Sequence, residues 1–98
     1  MNNMKILDTN YKIKYFNKYE DEGLEVGECI GCCDFDTKTI AVLKDHRVKE
    51  TLIHELVHAF LFEMSLEAKS YDEEMVDTIS SVLIRIMKSL KIWDKWKC

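Results

Sequence analysis

Strict alternation marks the first ordered segment. Tyr11-Lys12-Ile13-Lys14-Tyr15 puts apolar and charged residues on alternate positions, the period of a strand buried on one face. Glu20-Asp21-Glu22-Gly23 breaks the pattern and reads as a turn. A weaker extended segment runs from Val26 to Phe35, interrupted by Gly27 and Gly31, and Thr39-Ile40-Ala41-Val42-Leu43 is a compact β-branched run. The polar Asp34-Phe35-Asp36-Thr37-Lys38 between them reads as a turn, so these two segments predict a hairpin. At Asp45 the period lengthens. Asp45 suits a helix N-cap, and Val48, Leu52, Leu56, Phe60 and Met64 follow at spacings of four, with Ile53, Val57 and Leu61 widening the stripe. After a connection over Ser65 to Ser70, a second helix is predicted from about Tyr71 to Leu90. Its Met75, Ile79, Val82, Leu83, Ile86 and Leu90 fall on one side, which is expected to face the core. The tail KIWDKWKC either extends this helix or folds back through Trp93 and Trp96. Strands first and helices after predict an α+β fold, a small N-terminal antiparallel sheet or hairpin packed on a C-terminal αα-hairpin.

Size and composition narrow the function classes. Ninety-eight residues suffice for one domain with one modest core. At 47% hydrophobic and 33% charged, the chain belongs with globular rather than disordered sequences. A net charge of −4 with dispersed basic residues argues against phosphate-backbone binding, so no nucleic-acid partner is expected. No apolar run approaches the roughly 20 residues of a membrane span. The N-terminal MNNMKILDTNYKIK lacks the apolar run and cleavage site of a signal peptide. A cytoplasmic location is the expectation. Cys29, Cys32 and Cys33 crowd into CIGCC and Cys98 ends the chain. With no second CxxC to complete a zinc ribbon, and a strand rather than a helix expected next, they read as buried or edge-strand thiols.

The first helix carries the most specific signal. In His54-Glu55-Leu56-Val57-His58 the two histidines are four apart, one turn along the same helix face, where both imidazoles reach a single ion. Glu55 projects about 100° around the axis. A carboxylate there lies beside the ion rather than on it, placed to take a proton from an attacking water. The order and the spacing both follow from this chemistry, and the ion that suits two imidazoles is zinc, one per chain. Apolar neighbours would bury such a helix beneath a sheet, which is where a constructed site sits.

A third ligand must come from elsewhere. The pattern HExxHxxGxxH fails because Leu61 and Met64 stand at its Gly and His positions. His46, eight residues before His54, would lie about 12 Å away along a helix and reads as a first-turn surface residue. The ligand is therefore acidic, and Tyr71-Asp72-Glu73-Glu74 supplies carboxylates where an antiparallel second helix begins. Glu73 is favoured, because the apolar side of that helix lies nearly opposite it and Asp77, about 40° around, could accept the outer N–H of a ligating histidine. Glu74 is the alternative, with Thr78 as a weaker orienting group. A local use competes for Glu73: Ser70-Tyr71-Asp72-Glu73 matches the capping box S-x-x-E.

HELVH followed by a helix that opens with glutamates resembles the gluzincin type of zinc metallopeptidase. The run TLIHELVHAF and the short chain are similar to the compact metallopeptidase-like proteins of phages and mobile elements, and through them to the ImmA/IrrE type and the single-domain minigluzincins. The likeness spans about residues 39–87, although EEMVDTIS departs from the small-residue pattern usual in the second helix of the ImmA/IrrE type. It implies a zincin-like domain over 1–98 that hydrolyses peptide bonds, with Glu55 as general base and a protein or peptide substrate. It further implies a side chain that steadies the oxyanion, for which Tyr71 is the nearest candidate. The rival expectation is a catalytically idle, metal-binding regulatory protein, in which the ion serves stability. A proenzyme whose tail blocks the cleft, with Cys98 as a terminal thiolate ligand, is a third.

Overall fold

Two hairpins share one sheet. The computed structural model describes residues 2–17, 30–44 and 47–97. The turn expected at Glu20–Gly23, the start of the weaker extended segment, Asp45, His46, Cys29 and Cys98 lie outside them. β1 (Asn3–Ile6) and β2 (Thr9–Phe16) pair antiparallel through Leu7, whose φ of 54° is left-handed. β3 (Gly31–Asp34) and β4 (Thr39–Leu43) pair antiparallel across the predicted Asp34–Lys38 turn, where the Asp34 carboxylate accepts from the Asp36 and Thr37 amides.

The expectation of an antiparallel sheet needs correction. The strand order is β1-β2-β4-β3, and β2 pairs with β4 in parallel, Ile13 against Ile40 and Tyr15 against Val42, so the sheet is mixed. The most apolar strands take the two central places. Tyr11, Ile13 and Phe16 of β2 and Ile40, Ala41 and Val42 of β4 are all buried.

That helix, α1 (Val48–Glu63), is buried on two sides. Leu52, Leu56 and Ala59 pack under Ile6, Tyr11, Ile13, Ile40 and Val42 of the sheet. Ile53, Val57 and Leu61 form a second cluster with Val76. The wide apolar stripe thus serves two layers over most of its length, but its last members, Phe60 and Met64, are exposed. α1 ends in a Schellman motif: Ser65, at φ 62°, donates to the Phe62 carbonyl and Leu66 to that of Leu61. The connection expected to be irregular contains a short helix, α2 (Glu67–Ser70), before α3 (Glu73–Ser89). α3 ends in the same motif, with Lys91 at φ 60° and Ile92 donating to the Met87 carbonyl. The tail then folds back, putting Trp93 and Trp96 beside the second cluster, and Lys49 Nζ donates to the Trp93 carbonyl at 2.6 Å.

The rotation of α3 overturns a second expectation. Val76 and Ser80 are its buried residues, flanked by half-buried Ile84 and Met87, whereas Val82, Leu83, Ile86 and Leu90 are exposed. The side of α3 packed on α1 is the one that carries Glu73 and Asp77. Among the described residues, no helix is long and apolar enough to cross a membrane.

Candidate metal centre

Capping chemistry decides what Glu73 is free to do. The N-cap of α3 is Asp72, whose carboxylate accepts the Met75 amide at 3.1 Å. Ser70 turns inward and donates its hydroxyl to the Glu67 carbonyl at 2.7 Å, so the S-x-x-E box does not form. Glu73, released from the cap, turns toward α1.

Three side chains converge there. Glu73 Oε2 lies 3.1 Å from His54 Nε2 and its Oε1 lies 3.1 Å from His58 Nε2, while the two Nε2 atoms are 3.3 Å apart. The other ring nitrogens are tied. His54 Nδ1 donates to Asp77 Oδ1 at 3.0 Å, and His58 Nδ1 donates to the Ser70 carbonyl. Neither acceptor has a proton to give as a carboxylate or a carbonyl, so these partners assign the hydrogen of each neutral ring to Nδ1 and its lone pair to Nε2. With both rings neutral, two lone pairs and a carboxylate face one another with no donor among them, a repulsion that a cation between them or a proton on a ring relieves. Four ligand atoms at about 2.0–2.1 Å from a tetrahedral ion stand about 3.3 Å apart, close to the separations seen. His54, His58 and Glu73 are close enough to bind a metal ion. The donor set, two imidazoles and a carboxylate with both imidazoles oriented from behind, fits one.

Glu55 is buried at 7% exposure in the same cleft. Burial, and then the charge of Glu73, push its carboxyl up to about 7. The cleft, about 680 Å³, has α1 as its floor and β3 and α3 as its sides; Gly31, Cys33, Tyr71, Ser80 and Ile84 line it with the histidines. Strand β3 comes this close only because residue 31 is glycine. A Cβ there would stand 2.6 Å from Thr51 Cγ2 and 3.2 Å from Glu55 Cγ. In the sequence Gly31 looked like no more than an interruption.

The remaining candidates separate cleanly. Glu74 is exposed and lines a different groove with Met75 and Ile79, away from the histidines. Tyr71 sits on the cleft rim at 61% exposure, edge-on to Phe35, which stacks on Phe62 at 4.2 Å. Cys32 and Cys33 are half-buried on β3, and burial followed by the charge of Glu55 pushes the Cys33 thiol up to about 12, so it stays protonated.

Three features had no signal in the sequence. The Ser70 carbonyl orients His58 through the backbone, which no side-chain pattern reports. Ser80 is buried at 5% exposure beside the cleft, and its hydroxyl has no hydrogen-bond partner among the described residues. Glu63, at the end of α1, gathers Lys38 Nζ at 2.8 Å, the Tyr11 hydroxyl at 2.7 Å and the Thr9 hydroxyl at 2.8 Å. These contacts hold its carboxyl down at about 2 and pin the helix that carries the histidines to the sheet. No family model, curated protein or solved structure matches the chain.

Proposed function

We propose that the chain is a zinc-dependent peptidase of the gluzincin type, with a zincin-like helix pair formed by α1 and α3. The observation that carries this reading is the convergence of His54 Nε2, His58 Nε2 and the Glu73 carboxylate, with both rings held by acceptors at Nδ1. His54, His58 and Glu73 would hold the ion. Zinc, the ion that best suits two imidazoles and a carboxylate, supplies a Lewis acid that polarises a carbonyl and makes water more acidic. Glu55 performs the proton transfers. Its carboxyl, buried in the cleft beside the ligands, is the group placed to accept a proton and return it. It takes a proton from water as the O–C bond forms, then delivers it to the amine nitrogen as the C–N bond breaks.

The substrate is an extended peptide laid beside β3, an edge strand among the described strands that flanks the cleft. Tyr71 on the rim is the residue proposed to steady the oxyanion. An idle regulatory protein would have no use for a buried carboxylate beside the ligands, which favours the enzyme.

Two measurements test this reading together. Purified wild type should carry one zinc per chain, and His54→Ala with His58→Ala should lose it; equal metal content in both proteins would overturn the metal centre. Glu55→Gln should keep metal and fold yet cleave none of the unfolded-protein substrates that wild type cleaves. Hydrolysis that survives in Glu55→Gln would remove the general base from the mechanism, and a metal-loaded wild type that cleaves nothing would favour the regulatory protein.

A further inference from the structure

The side of α3 turned away from the metal centre is apolar and open. Val82, Leu83, Ile86 and Leu90 are 48%, 39%, 47% and 64% exposed, and Met75 and Ile79, packed in part against the second cluster, continue the stripe half-buried. Met75, Ile79, Val82 and Ile86 are spaced four, three and four, the repeat of a seam between two helices packed side by side. Taking Glu73 as the origin, this seam lies about 180–240° around the helix, so whatever covers it leaves the cleft open.

The two halves of the stripe differ. The N-terminal half contains a shallow groove of about 430 Å³ with Met75 and Ile79 on its floor and Asp72 and Glu74 on its rim. The C-terminal half is a ridge of Val82, Ile86 and Leu90, with Arg85 exposed on the same flank as Glu74. Among the described residues neither Glu74 nor Arg85 has an ion-pair partner.

We propose that this face pairs with α3 of a second copy, antiparallel, about a twofold axis near Ser80 and Ser81. An acidic-rimmed apolar groove and a basic-flanked apolar ridge at opposite ends of one helix are complementary to the same helix turned end for end. Each contact then occurs twice, as an isologous interface requires. Ile79 meets Val82, Met75 meets Ile86, and Glu74 lies beside Arg85. Parallel pairing would align the helix dipoles unfavourably and, because its twofold axis runs along the helices, would leave the Glu74 and Arg85 flanks of the two copies on opposite sides of the seam.

Sedimentation equilibrium of the full chain from roughly 1 μM to 1 mM tests this directly. Wild type should be a dimer in the upper part of that range. Ile86→Glu, whose parent side chain is half exposed within one copy, should keep the far-ultraviolet circular dichroism of wild type and weaken association at least about thirtyfold. The charge pair supplies the second arm. Glu74→Arg and Arg85→Glu should each weaken the dimer about fivefold, and the double variant should recover wild-type association, because the reversed charges again face each other. A monomer at about 1 mM, a dimer indifferent to Ile86→Glu, or a double variant no better than the singles would each overturn the proposal.

Discussion

Replacing Glu73 by glutamine keeps the side chain's size and removes only its charge and its ability to bind a cation strongly. The carboxylate spans both histidines at 3.1 Å and is not engaged in the helix cap, which Asp72 fills. The substitution should therefore leave α3 intact and act on the metal. Small protein zinc sites bind with an apparent free energy of about 10–16 kcal/mol. Divided among three protein ligands, one ligand is worth about 3–5 kcal/mol, or roughly 10²–10⁴-fold in dissociation constant. Glu74→Gln is the matched control. It lies next in sequence and on the same first turn, but borders the other groove, so its metal affinity should match wild type. Competition against a chromogenic chelator measures all three proteins, with circular dichroism confirming the fold. A loss under about threefold for Glu73→Gln, or a larger loss for Glu74→Gln, would show that the convergence of these three side chains does not create the site.

Two further perturbations probe the scaffold. Gly31→Ala places a methyl 2.6 Å from Thr51 Cγ2 and against Glu55, and should destabilise the fold by about 1–3 kcal/mol in urea titration; unchanged stability would mean that β3 does not need this close approach. Glu63, whose carboxyl is held at about 2 against an ordinary 4.5 chiefly by Lys38, contributes stability that is complete above pH 4.5 and lost as pH falls from 4.5 towards 2. Thermal unfolding of wild type should weaken across that window more than that of Glu63→Gln, and parallel curves would remove the Lys38–Tyr11–Thr9 cluster from the account.

Local chemistry was legible in the sequence where it determined its own outcome. The histidine spacing of α1 needs only helix geometry, and Asp77 follows Glu73 by one turn of α3, but the preference for Glu73 rested on an apolar side of α3 that does not face the core. The turn at Asp34–Lys38 was legible because Asp34 closes it with its own side chain. Choices among comparably greasy surfaces were not. Asn3–Ile6 has too few apolar residues to announce β1, and it gains its place by pairing with β2. Whether β4 lies beside β2 or only beside β3 depends on the path between strands, and no alternation pattern encodes that. Ser70 and Asp72 are both good caps by composition. Their competition is decided by α2, whose last turn uses the Ser70 hydroxyl.

The rotation of α3 is the most informative of these differences, because two strong demands conflict there. Burying a large aliphatic side chain contributes about 1.5–3 kcal/mol, so leaving Val82, Leu83, Ile86 and Leu90 about half exposed forgoes roughly 4 kcal/mol in all. Turning that side onto α1 would recover part of it, since Val76, Ile84 and Met87 would be uncovered in exchange, and would swing Glu73 and Asp77 away from His54 and His58. In the metal-loaded protein a lost ligand costs about 3–5 kcal/mol. The lost orientation of His54 adds a factor of about 10–100 in affinity, or about 1.4–2.7 kcal/mol. Ligation therefore outweighs burial within one copy. The conflict disappears when the apolar side is covered by a second α3, since pairing buries the stripe without moving Glu73. A helix with ligands on one face and a self-complementary seam on the other satisfies both demands at once, and no rotation of α3 within a single copy does.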